Sequence, residues 1–187
     1  MIDVLAYTVS FIAMTLVASS YFFTKKEWYL LLQSSGIVFL ILSYLLTGEY
    51  FAMLGLGVGL ARTITFFAYE KKDKIAPLWL AVLFAFLTVL AYGIVNLCIL
   101  QTAKPVDILY LISLVGYAFV FRIREVKTVR FASILPTVLA VAYNVAVGAV
   151  PFVIVSYSFE LGAIILSIFK YHVLHQENIK GATYEKR

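Results

Sequence analysis

Apolar residues run along this chain in long blocks, interrupted at intervals by short clusters of charge. Blocks long enough to cross about 30 Å at about 1.5 Å per residue predict seven transmembrane helices, over residues 4–23, 28–47, 50–69, 75–100, 106–121, 131–147 and 149–169. The fifth is short and runs straight into Arg122 and Arg124, whose aliphatic stems can snorkel and lengthen it. Between the sixth and seventh, only Gly148 and Pro151 break the apolar stretch. Its combined length favours two crossings over one re-entrant hairpin.

Composition agrees with that pattern. Of 187 residues, 63% are hydrophobic and 13% charged, about half the charged fraction of a soluble domain. A soluble enzyme is excluded, and seven spans with short loops leave no room for an extramembrane domain. The single Cys98 makes no internal disulfide, and one Cys with His172 and His175 is too few for a Cys/His metal cluster. His172 and His175 are expected on a solvated inner extension. Residues Met1-Ile2-Asp3 lack the basic leader of a signal peptide, so the first span is expected to be retained.

Charge sets an expected orientation. Lys25 and Lys26, then Lys71, Lys72 and Lys74, then Arg122, Arg124, Lys127 and Arg130, and finally Lys170, Lys180, Lys186 and Arg187 alternate with loops holding only Lys104. The positive-inside rule then puts the N-terminus outside and the C-terminus in the cytoplasm. The net charge of +5 is thereby used up as a topology signal, and nucleic-acid binding is not expected.

Seven spans divide as three, one, three. The basic loops at 25–28 and 122–130, and the tight turns at 47–50 and 147–151, occupy matching places in the two triplets. With one helix between them both triplets start outside, so they are parallel repeats about an axis along the membrane normal. Tyr44 and Tyr143 match at a spacing of 99, and Gly48 and Gly148 at 100. The expected fold is an all-α polytopic membrane protein, two parallel three-helix bundles joined by a linker transmembrane helix. Its divisions are 1–74, 75–105, 106–171 and a tail at 172–187.

Leu60-Ala61-Arg62-Thr63 with Ile64-Thr65, the Gly48 turn after Tyr44-Leu45-Leu46, Tyr143-Asn144 and Phe159-Glu160 together resemble a family of small bacterial inner-membrane proteins of largely unknown function. That family is similar to the SWEET sugar facilitators, the PQ-loop proteins and the nicotinamide riboside transporters. The Pro-Gln pair itself is absent: Pro136 precedes Thr137, and Gln33 precedes Ser34. The resemblance implies the three-one-three architecture, with a solute path between the triplets. It names no solute.

Charge inside a span costs at least about 2.5 kcal/mol, so Arg62 and Glu160, near mid-depth on the third helix of each triplet, are the leading site candidates. They could neutralise each other, or bind and gate a solute; Glu160 could also exchange a proton. Asn144, whose amide needs partners at both ends, follows Tyr143 and lies eight residues after Pro136; it faces either a solute path or a neighbouring helix. Tyr44 and Tyr143 could stack on a solute ring or pack in the core. Trp28, Tyr29, Tyr50, Trp79, Tyr110 and Tyr171 read as interfacial belt residues. Gly55 and Gly59 form a small-xxx-small face expected to pack closely on a neighbouring helix; the Gly-x-Gly-x-Gly run has no strand before it and is no phosphate loop.

No Ser-His-Asp, Cys-His or paired-carboxylate constellation is present, so an enzyme is not expected, nor a cofactor or metal. The expected function is a small-solute transporter or facilitator. The alternatives are a membrane-embedded subunit binding a vitamin-like solute for a larger transporter, and a structural or regulatory membrane protein. The expected partners are the lipid bilayer and an unidentified small solute; homo-oligomer formation is open.

Overall fold

A computed structural model of the chain describes residues 2–47, 50–94, 104–146 and 151–174. All regular structure among these is helical: α1 (Ile2–Ser20), α2 (Lys26–Thr47), α3 (Tyr50–Lys71), α4 (Leu78–Tyr92), α5 (Asp107–Val120), α6 (Val126–Ala146) and α7 (Pro151–Ile168), which continues as a π-helical stretch, Phe169–Leu174. The turns at Gly48 and Gly148, Cys98, His175 and most of the tail lie outside the described residues.

The helix ends differ from the apolar blocks for identifiable reasons. The fourth block was expected from residue 75, but its helix begins at Leu78 because Pro77 is extended, with φ −65° and ψ 151°. Proline has no N–H to donate and disfavours helical geometry at the residue before it. The first block ends early, at Ser20, and Tyr21, Phe22 and Phe23 close the end in tight turns onto the carbonyls of Ala18, Ser19 and Ser20. The sixth helix starts five residues before its apolar block, carrying Lys127 and Arg130 into the helix. Two helices are long and apolar enough to cross a membrane among the described residues, Val126–Ala146 and Ile154–Tyr171, while Leu5–Ser20, Leu78–Tyr92 and Asp107–Val120 are apolar but shorter.

Successive helices pack on each other along most of the chain, and α1 also meets α7. Beyond an apolar core, large apolar side chains also cover the outside, unlike the surface of a water-soluble protein. Phe11, Trp28, Trp79, Phe86, Leu135 and Leu166 are exposed, while Gln33, Arg62, Thr63, Asp107, Ser113, Arg130, Ser133, Thr137 and Asn144 are buried. Such a surface suits hydrocarbon, which gives polar groups no partners and so drives them to each other.

A spacing of 100 links the two ends of the chain. Residues 13, 18, 20, 21, 26, 29, 30, 33 and 37 are buried, and so are 113, 118, 120, 121, 126, 129, 130, 133 and 137. The turn at Tyr21–Phe23 is matched by one at Phe121–Ile123, closed on Tyr117, Phe119 and Val120 carbonyls. Ser10 and Ser43 share a hydrogen bond of 2.5 Å, and Tyr110 and Tyr143, each 100 positions later, stack at 4.9 Å.

The matched turns are also tied to each other. Lys26 Nζ donates to the carbonyls of Phe121, at 2.7 Å, and Ile123. Arg130 Nε and Nη2 donate to the carbonyls of Tyr21 and Phe23 at 2.9 and 3.0 Å. Carbonyls at a helix end lack intrahelical donors, and here each first-helix end is capped by a cation from the far half of the chain. Arg130 lies 4.3 Å from the Tyr171 ring centroid, and Tyr171 Oη donates to the Phe22 carbonyl at 2.7 Å. Tyr171 thus also serves this cap.

The close approaches occur at other glycines than Gly55 and Gly59. A Cβ built on Gly55 meets no described atom within 4 Å, and one on Gly59 meets only the Arg62 side chain, at 3.8 Å. The expected helix contact at that face is therefore corrected. A Cβ on Gly36 would instead lie 2.6 Å from Val17 Cγ2 and 3.0 Å from the Ala13 carbonyl, and one on Gly116 3.0 Å from Pro136 Cγ. These glycines set the α1–α2 and α5–α6 approaches.

Candidate functional site

Charge in an apolar bundle must find partners or remain costly. Glu160, partly exposed on α7, finds tyrosines. Tyr21 Oη donates to Glu160 Oε1 at 2.8 Å, and Tyr117 Oη approaches the same oxygen at 3.2 Å. Tyr117 Oη also lies 2.6 Å from Thr137 Oγ1, which donates to the Ser133 carbonyl at 2.8 Å. The turn after α1, and α5, α6 and α7, therefore meet in one polar chain.

Proton counting constrains that chain, because each hydroxyl has a single hydrogen. When Thr137 donates to Ser133, Tyr117 serves Thr137 and has nothing left for Glu160. When Thr137 turns toward Tyr117, Tyr117 can donate to Glu160. The hydroxyl network thus accommodates either a protonated acid, donating to Tyr117, or a carboxylate accepting from it.

Arg62 takes a different direction from α3. It is buried, Nη1 donates to the Leu114 carbonyl at 3.2 Å, and its Cζ stands 4.7 Å from the centroid of Phe121. No ion pair within 4.0 Å joins it to Glu160; the ion pairs among the described residues run from Arg124 to Glu70 and Asp73. Of the alternatives left open by the sequence, the neutralising pair is not formed, because Arg62 reaches toward α5 while Glu160 reaches toward Tyr21 in the turn after α1 and Tyr117 on α5. Tyr29, from α2, is within electrostatic reach of both. It is fully buried and packs edge-on against Tyr21 and Phe121 at 5.4 and 5.8 Å. Burial removes Tyr29 from the interfacial belt expected of it. Tyr29 Oη and Arg62 Nε are buried without a hydrogen-bond partner; Tyr21 and Ser133 come near that hydroxyl without reaching bonding geometry.

The other expected site residues lie elsewhere. Asn144 is buried on α6, but its Nδ2 donates to the Ala140 carbonyl of its own helix at 2.7 Å. Tyr143 stacks on Tyr110 near Asp107, which receives Tyr92 Oη at 2.8 Å and the Lys104 amide at 2.7 Å. Tyr110 is thus part of a second polar group at the start of α5. The Tyr44 side chain lies outside the described residues. Of five candidates, then, Arg62 and Glu160 share one neighbourhood around Tyr29, and Tyr143 belongs to another. The sequence reading missed Tyr21 as a partner of the carboxylate and Thr137 as a partner of Tyr117 behind it.

Comparison with curated proteins and with solved structures finds no match. Residues 4–174 match the model of the Imp-YgjV family, described as bacterial inner membrane protein. The outward apolar surface and inward polar groups fit that description, and this chain belongs to the Imp-YgjV family of bacterial inner membrane proteins.

Proposed function

We propose that the chain is a small-solute transporter or facilitator whose path runs between α1–α3 and α5–α7, with α4 as the linking helix. Seven crossings, with the N-terminus outside and the C-terminus in the cytoplasm, follow from the alternation of basic segments. The spacing of 100 and the reciprocal caps support two three-helix bundles in parallel orientation, the arrangement that also underlies the proposed kinship with SWEET and PQ-loop carriers.

The observation that carries the proposal is the separation of Arg62 from Glu160. Two ionisable groups at mid-bundle, each on the third helix of its triplet, are held by hydroxyls, a carbonyl and an aromatic face instead of each other. Intramembrane charge that is not consumed in a salt bridge marks a solute or ion pathway. A purely structural protein would gain more by closing that pair.

Purified protein in liposomes tests this by stopped-flow light scattering with a panel of sugars, polyols, amino acids and small organic acids. Transport predicts faster equilibration of at least one solute than in protein-free liposomes, and a changed rate in Glu160→Gln. Permeability equal to that of empty liposomes for the whole panel refutes it, and favours a binding subunit that works only with partners.

A further inference from the structure

A guanidinium has five N–H donors in a planar fork, and Arg62 spends one on the Leu114 carbonyl. Its Nε–H, buried, has no acceptor, and the buried Tyr29 hydroxyl has no partner either. Both side chains pack on Phe121, Arg62 over its face at 4.7 Å and Tyr29 against it at 5.8 Å between centroids. Arg62 and Tyr29 are within electrostatic reach of each other. Unsatisfied groups of this kind are rare in folded proteins, and each demands a missing partner. Two of them, both donors, beside an uncompensated cation, call for the same kind of partner: an oxyanion.

From this geometry we infer that Arg62 and Tyr29 form a receptor for a carboxylate carried by the solute. The inference rests on the transport proposal and deepens it by naming the solute's class. The site's charge limits that class. Arg62 is the one cation over the Phe121 ring among the described residues, Lys26 being spent on the Phe121 and Ile123 carbonyls, and Glu160, held through Tyr21 and Tyr117, lies within electrostatic reach of Tyr29. With Glu160 protonated, a state that its hydroxyl network accommodates, the one guanidinium balances a single negative charge; a phosphate dianion exceeds it. The carboxylate would accept from Arg62 Nε–H and Tyr29 O–H together, the charge-assisted arrangement that suits a guanidinium best. The surrounding rings of Tyr29, Tyr117 and Phe121 favour a flat apolar body behind the carboxylate.

The test uses the purified full-length chain in detergent and three probes: benzoate, its uncharged counterpart benzamide, and inorganic phosphate. Benzoate is expected to raise the melting temperature in a saturable way, and benzamide and phosphate not to. Arg62→Met should abolish the benzoate shift without lowering the melting temperature of the unliganded protein, since it removes a buried charge that has no counter-ion. Tyr29→Phe, which removes only an unpartnered hydroxyl, should weaken benzoate about tenfold or more and leave the unliganded protein at least as stable. Equal shifts from benzoate and benzamide, a benzoate shift retained in Arg62→Met, or no shift with benzoate at all would each overturn the inference. Benzoate binding without solute flux in liposomes would refute transport and leave the carboxylate receptor standing. Flux of neutral solutes alone, indifferent to Arg62→Met, would do the reverse.

Discussion

Replacing Arg130 by Met removes one of the two caps that tie the ends of α1 and α5 together. Arg130 is 3% exposed, and its two bonds end on the Tyr21 and Phe23 carbonyls, the first buried and the second partly so. A buried acceptor stripped of its donor costs about 1–3 kcal/mol. The Tyr21 carbonyl belongs near the middle of that range, the Phe23 carbonyl near the bottom because water can replace the donor. Loss of the cation over Tyr171 adds about 1 kcal/mol. Relief of guanidinium desolvation returns part of this, leaving a net destabilisation of about 3 kcal/mol. Arg130→Lys keeps the charge but has one nitrogen for two carbonyls, and should lose about half as much. Unfolding titrations in detergent micelles, followed by circular dichroism, measure both. If Arg130→Met falls within about 0.5 kcal/mol of the parent, the cap does not hold the two turns together. Lys26→Met caps different carbonyls, so its cost should add to that of Arg130→Met; strong coupling would mean that the two caps act as one unit.

Gly36→Leu should destabilise by at least about 1–3 kcal/mol, since even the first carbon meets Val17 and the Ala13 backbone, whereas Gly57→Ala, with open space around it, should be neutral or gain a few tenths of a kcal/mol from helix propensity; detergent melting curves compare them. Burial pushes the Lys26 ammonium down from 10.5 to about 8, with Glu70 opposing the shift and Arg124 adding to it. Between about pH 8 and 10.5 the unfolded chain therefore holds a proton that the folded chain has released, so stability rises with pH across that window. A parent-minus-variant difference that stays flat over that range in Lys26→Met would contradict this assignment. Cys98, at the end of the fourth apolar block opposite Lys71–Lys74, should react with a membrane-impermeant maleimide added outside intact spheroplasts; labelling only after lysis would invert the proposed topology.

Helix positions were legible because most apolar blocks are set off by clustered charge, and a helix formed in each of them. Helix ends were less so, since Lys26 and Arg130 read as loop charge while both are helical, buried and capping distant carbonyls. Scarcity of charge exposed Arg62 and Glu160 as site candidates, but not their partners. The hydroxyl that Glu160 receives from Tyr21 comes from 139 residues away, and nothing local at Tyr21 announces it. Tyr29 read as a belt residue because its distance from the span end fits that role equally well. Gly55 and Gly59 misled for a related reason: a small-xxx-small stripe makes close contact possible, but whether another helix lies there depends on the rest of the bundle. Gly36, a lone glycine without a motif, takes the contact instead.

The two caps have the logic of an isologous interface, in which a patch on one partner meets its own counterpart on the other. Each half of the chain carries a turn with two free carbonyls, at 21 and 23 or at 121 and 123, and a cation able to fill the equivalent turn opposite. Either half, taken twice, would contain every donor and acceptor that this lock needs. The cations sit at different helical positions, Lys26 at the start of α2 and Arg130 one turn into α6, so the two closures share their acceptors' geometry but not their reach. A self-complementary lock made from unlike keys lets one closure loosen while the other holds.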